Sequence, residues 1–172
     1  MVQVQLTVYN EIPMLYDTVP KDSKKGETET VGIVLELVEK TLKENPDIAL
    51  VHTTHNETGT GILNPIREIG ALAHKYDAVF TVDTTSTLAM RPINIKEDNI
   101  DFCMASAQKG LMAMTGLSFV VGNTEIIKKS AEYPKRSYYC NLYLQYHFFE
   151  TTGEMHFTPP VQTIYATRQA LD

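Results

Sequence analysis

The sequence lacks any concentration of positive charge. Its 15 Lys and Arg stand against 21 Asp and Glu, a formal net charge of -6. A nucleic-acid backbone or an anionic membrane would need a basic surface, so neither is expected as the main partner. The one basic cluster, Lys128, Lys129, Lys135 and Arg136, is interrupted by Glu132 and reads as a solvated helix face. Also missing are an apolar run of the roughly 18 residues that a membrane span requires and a basic-then-apolar signal pattern at the N-terminus; the expected location is the cytoplasm. There are only 2 cysteines, Cys103 and Cys140, far apart and without His or Cys at metal-ligand spacing. Buried free thiols are expected there, not a disulfide or zinc site. No Gly/Pro-rich or low-complexity stretch interrupts a chain that is 43% hydrophobic and 21% charged, so the 172 residues are expected to fold as a single unit.

What is present is an alternation of apolar patterns. Residues 1–10 alternate as a half-exposed strand would, and a turn-rich polar stretch follows. From Glu29 to Leu42, Val31, Val34, Leu35, Val38 and Leu42 recur at helical spacing, and Asn45-Pro46 ends the run. A second helix is predicted from Pro65, with Ile66, Ile69, Leu72 and Ala73 as its stripe. Buried strands are predicted at 47–51, 78–82, around 100–104 and at 117–121, and further helices near 124–133, 138–150 and 160–171. This order predicts an α/β fold, a three-layer sandwich with a mainly parallel sheet. Ligands of such sheets bind beyond the carboxyl ends of the strands. Three polar clusters lie there: His52 to Gly61, Asp83 to Thr87, and Ser106 to Gly110.

Within these clusters Lys109 and Asp83 are the residues with chemical capacity. A lysine can bond an aldehyde and carry a proton, and a carboxylate can hold a cationic ring nitrogen in its charged form. Each also has an ordinary role, Asp83 as a strand-end cap or turn residue and Lys109 as a surface charge. Lys109 precedes the small-residue sequence from Gly110 to Gly116, an awkward setting for a merely solvated lysine. His52 and His55 flank Thr53-Thr54 without carboxylates at a familiar ligand spacing except Glu57, so polar histidines satisfied at a strand end are expected. Tyr138, Tyr139, Tyr143, Tyr146, Phe148 and Phe149 follow three-to-four spacing and read as helix packing, at a subunit interface.

The segments HNETGTGILNP, VDTTSTLAMRPINI and DFCMASAQKG with TGLSFVV, in that order, resemble the signature segments of class V (fold type I) aminotransferases. The resemblance runs from about Glu29 to the C-terminus. Its later part looks most like the enzymes that move an amino group from 2-aminoethylphosphonate to pyruvate, and it is similar also to alanine:glyoxylate and serine:pyruvate enzymes. The resemblance implies pyridoxal 5'-phosphate as cofactor, with Lys109 bonding its aldehyde and transferring the proton, and Asp83 facing its pyridine nitrogen. It further implies Gln108 as a phosphate ligand, Thr58 near the phenolic oxygen or substrate, and Thr85 below the ring. Thr158 would reach the cofactor phosphate of a neighbouring subunit, so a homodimer with a shared site is implied, acting on a small amino donor and a keto acid. Turn, strand or cap roles remain open for Thr58, Thr85 and Gln108, and Thr158 stands where it could cap the last helix.

On the same grounds residues 1–172 are expected to be the cofactor-binding large-domain core, with an N-terminal segment and a small C-terminal domain of the family outside them. Arg168, on a predicted helix, does not match the family's carboxylate-binding arginine. Gly59 stands where a Ser or Thr is common. A non-catalytic fragment or a subunit of a split enzyme is the competing expectation. Cysteine desulfurase, of the same fold, is disfavoured because Gln108 occupies the position before the lysine where a His would stand.

Overall fold

The computed structural model describes residues 4–7, 14–15, 27–59 and 61–172. In chain order the elements are β1 (Val4–Thr7), β2 (Met14–Leu15), α1 (Glu27–Glu44), β3 (Leu50–Thr54), β4 (Asn56–Glu57), β5 (Ile62–Leu63), α2 (Ile66–Lys75), β6 (Val79–Asp83), β7 (Phe102–Ser106), β8 (Ser118–Gly122), α3 (Thr124–Lys129), α4 (Leu142–Thr152) and α5 (Val161–Leu171). A single 3-10 turn, Ser130–Glu132, extends α3. Of the predicted opening strand at 1–10, residues 4–7 form β1 and the remainder lies outside the described residues.

The two helical stripes read from the sequence meet the sheet. Val34, Val38 and Leu42 of α1 and Ile66, Ile69 and Ala73 of α2 join Val51, Phe80, Val82 and Cys103 in one buried cluster. Helix α2 lies so close that a Cβ on Gly70 would come within 2.8 Å of the Asn99 carbonyl oxygen and of the Phe80 ring, contacts that exclude any larger residue. Pro65 stands one position before its expected place, as the residue preceding the first helical turn.

The main sheet has the order β2-β1-β3-β6-β7-β8, and β4 and β5 form a separate small hairpin. At its centre β3, β6 and β7 are parallel, with Thr54 opposite Asp83 and Asp83 opposite Met104. The α/β architecture is as expected, but the sheet is mixed, because β1 and β8 join antiparallel. For β8 the reason is length. Residues 107–117 connect it to β7, and a parallel crossover needs about a dozen residues or more, usually including a helix.

Each of the four predicted buried strands starts and ends one to three residues further along than its apolar run. The hydrogen-bonded ladder continues into polar residues: His52, Thr53 and Thr54 on β3, Asp83 on β6, Ser106 on β7. The parallel strands thus carry their polar residues to the carboxyl edge of the sheet, where ligands of this fold class bind. Cys103 is buried as expected, whereas Cys140 is exposed in the turn before α4. Burial pushes the Cys103 thiol up from its ordinary value. Among the described residues no helix is long and apolar enough to cross a membrane.

Candidate active site

The first two polar clusters are hydrogen-bonded to each other, and the third packs beside them. After β3 the chain makes the β4–β5 hairpin, and the His55 amide at its root donates to the Asp83 carbonyl at 2.9 Å. Asn56 Nδ2 and Ser86 Oγ lie 3.4 Å apart, and Ser86 Oγ donates to the Asn56 carbonyl at 3.2 Å. The buried pair His55 Nδ1 and Thr87 Oγ1, 3.0 Å apart, completes the join between the first and second clusters. Asn64 closes the hairpin from behind, its amide nitrogen on the His55 carbonyl at 2.7 Å and its Nδ2 on the Thr54 carbonyl at 2.6 Å. The Asn64 Oδ1 atom is buried with no hydrogen-bond partner among the described residues.

Asp83 terminates β6 and is half-buried. Its Oδ1 accepts the Thr85 amide at 2.8 Å, an Asx turn that bends the chain away from the strand. Thr84, fully buried, sends both its amide and its hydroxyl to the Met104 carbonyl, at 2.9 and 3.0 Å. The turn after β6 is thereby fastened to β7. Both imidazoles beside it stay neutral more readily than usual. Burial pushes His52 down while the Asp83 carboxylate pulls it up, and burial pushes His55 down with Asp98 opposing and Arg91 assisting. His52 Nδ1 lies 2.9 Å from Thr81 Oγ1. Each histidine therefore has a hydroxyl partner, as expected for satisfied strand-end residues.

Lys109 is displayed between two anchors. Ala107 and Leu111 are buried on either side of it, the Met112 amide returns to the Lys109 carbonyl at 2.8 Å and the Ala113 amide to the Ala107 carbonyl at 3.0 Å. Gly110 sits against the Leu88 carbonyl so closely that a Cβ there would overlap it. This contact sets the third cluster against the residue that follows the second. Each of these loops carries a non-glycine residue with positive φ, Ala89 at 65° and Met112 at 53°. Left-handed backbone at such residues costs on the order of 1–3 kcal/mol each and persists only where the surroundings over-determine it.

Of the six residues singled out from the sequence, Asp83 and Thr85 are in direct contact. Lys109 and Gln108 lie exposed on the adjoining loop, and Thr58 is exposed at the hairpin tip. Thr158 is exposed in the segment before α5, and it is not that helix's cap: Pro160 precedes the first turn and no side chain caps it. Helix α5 reaches the far end of the loop that bears Lys109, with Thr163 Oγ1 3.9 Å from where a Cβ on Gly116 would stand. The sequence marks His55 only as a polar histidine at a strand end, and Thr84, Thr87 and Asn64, which join it in holding the first two clusters together, carry no signal as site residues.

The sequence pattern described as Aminotransferase class-V matches residues 23–172. The chain belongs to the class-V aminotransferase family. It is 37% identical over 141 residues to a bifunctional phosphonoacetaldehyde hydrolase/aminoethylphosphonate transaminase of Clostridioides difficile, covering 81% of this chain and 22% of that one. To a 2-aminoethylphosphonate--pyruvate transaminase of Lysinibacillus sphaericus it is 31% identical over 169 residues, 98% of this chain and 44% of that one. The fold is similar to that of a pyridoxamine-pyruvate aminotransferase from Mesorhizobium loti, with a TM-score of 0.72 at 26% identity over 80% of this chain and 36% of the other. This member of the family therefore spans less than half the length of these relatives.

Proposed function

We propose that this chain is the cofactor-binding core of a pyridoxal-phosphate-dependent aminotransferase that moves an amino group from a small amino donor to a keto acid. The observation that carries the reading is the fastening of the Asp83 turn to the Lys109 loop, through Thr84 on β7 and through Gly110 on Leu88. The donor set fits the cofactor: a primary amine for its aldehyde, a carboxylate for its ring nitrogen, and an amide and hydroxyls for its oxygens. Once bound, pyridoxal phosphate supplies an aldehyde carbon that bonds amines and a protonated ring that withdraws electrons.

The residues divide the work. Lys109 would hold the cofactor through its aldehyde carbon, and its amine would be the base that moves a proton at the donor's Cα. Asp83, aimed by its bond to the Thr85 amide, would hold the cofactor's ring nitrogen and its proton. Gln108 would hold the phosphate, and Thr58 and Thr85 would hold the ring and its phenolic oxygen. Thr158, exposed and free of any capping role, serves the cofactor phosphate of a second copy, in a homodimer.

The donor we infer is 2-aminoethylphosphonate and the acceptor pyruvate, giving phosphonoacetaldehyde and alanine; the names of the two sequence relatives above support this. Alanine formation from pyruvate is the assay, with 2-aminoethylphosphonate in one arm and serine in another, and a third arm follows alanine with glyoxylate. Preference for the phosphonate donor is expected. Equal or faster reaction in another arm would overturn the substrate assignment, and an unmodified protein that captures no pyridoxal phosphate would overturn the reading as a whole.

A further inference from the structure

We infer that His55 is a positioning residue of this site: its imidazole, clamped on the Thr87 hydroxyl, locks the hairpin that follows β3 to the turn that aims Asp83. The inference rests on the assignment of Asp83 to the cofactor's ring nitrogen.

The argument begins with how little holds the Asp83 carboxylate. Among the described residues its only hydrogen bond is the one from the Thr85 amide. Its direction is therefore set by the turn 84–87 and not by neighbouring side chains. That turn is closed on itself by the Thr87 and Leu88 amides, which reach the Thr84 carbonyl at 2.9 and 2.8 Å. It is fixed to its surroundings at two ends. Thr84 fastens the near end to the Met104 carbonyl on β7. At the far end the side chain of Thr87, 3% exposed, meets that of His55, 6% exposed, at 3.0 Å.

The same histidine grips the site with its backbone. Its amide donates to the Asp83 carbonyl and its carbonyl accepts from Asn64, so one residue touches the strand end, the turn and the hairpin. The Thr87 hydroxyl also reaches the Thr84 carbonyl at 3.4 Å; donating there, it accepts from Nδ1–H, which assigns the proton to Nδ1. A neutral imidazole suits that bond, and burial favours the neutral form. Removal of the Thr87 hydroxyl leaves the buried Nδ1–H of His55 unpaired and loosens the far end of the turn, which keeps only the Ser86–Asn56 bonds to the hairpin. Small displacements of a reacting geometry are costly, so the loss is expected in the rate more than in binding.

The test uses Thr87→Val, which keeps shape and removes the hydroxyl, Thr87→Ser, which keeps the hydroxyl, and His55→Asn, which keeps a donor near Nδ1. Hydrogen exchange at the His55 and Asn64 amides is measured without cofactor, and the donor half-reaction with pyridoxal phosphate bound. Thr87→Val is expected to speed exchange at both amides and to lower the half-reaction rate by about 10- to 100-fold with donor half-saturation little changed, while Thr87→Ser restores both. Exchange and rate in Thr87→Val equal to those of the unmodified protein would overturn the inference, as would a loss that Thr87→Ser shares. Failure of the unmodified protein to capture pyridoxal phosphate would instead bring down the cofactor reading, and this inference with it.

Discussion

Gly110 and the carbonyl of Leu88 are packed so closely that the space of a single methyl group is already taken. The contact sets the loop bearing Lys109 against the turn that follows Asp83. Gly110→Ala must move one of two backbones, and overpacking of this kind costs about 1–3 kcal/mol. The unfolding free energy from denaturant titration should fall by that amount, and the fraction of Lys109 captured by pyridoxal phosphate should fall with it. Gly59→Ala is the control, since its nearest neighbour is the Glu57 side chain at 3.6 Å; it should leave both unchanged.

Asp83→Asn should retain covalent capture of the cofactor and lose the amine half-reaction, because a neutral amide cannot hold a proton on the ring nitrogen. Stopped-flow absorbance after mixing with the amino donor reads this directly. A variant that converts donor at the unmodified rate would reduce Asp83 to an Asx-turn residue.

The two histidines make stability depend on acidity. His52 and His55 are both held below the ordinary imidazole value of 6.5, so in the unfolded chain they take up protons at a higher pH than in the folded one. Between 6.5 and the lowered values the unfolded state binds more protons, and stability therefore rises with pH through that window and is lost as pH falls below 6.5. Melting temperature followed from pH 7.5 to 5 should show the decline, and His55→Asn should flatten part of it. A decline of the same steepness in the variant would contradict the burial of a neutral His55.

Thr158→Ala should leave the melting temperature unchanged, because α5 takes no capping bond from that residue. If Thr158 serves the phosphate of a second copy, the substitution should weaken cofactor affinity roughly tenfold, the worth of one charge-assisted hydrogen bond. Cofactor titration of both proteins at equal concentration makes the comparison.

Helical stripes were the most legible part of the fold. Val34, Val38 and Leu42 point one way because every fourth residue does, and Phe80 and Val82 mark a strand by being apolar. Strand ends were less legible. Hydrophobicity stops at Val51 while the ladder runs on to Thr54, since hydrogen bonding holds Thr53 and Thr84 in full burial where apolar contact does not. The antiparallel course of β8 was hidden in a loop length. In the site, Asp83 and Lys109 were visible through their chemistry and their place after strands. The pairing of His55 with Thr87, 32 residues apart, was not, because no local pattern announces a contact between the turns that follow two neighbouring parallel strands.

The most direct test of the account is where pyridoxal phosphate attaches. The protein is mixed with the cofactor, its visible absorption recorded, the adduct reduced with borohydride, and the labelled peptide sequenced. A visible band that is lost on reduction, with the label on Lys109, and no band in a folded Lys109→Ala variant is the predicted result. Equal absorbance in the unmodified protein and the variant, or a label on another lysine, would contradict it.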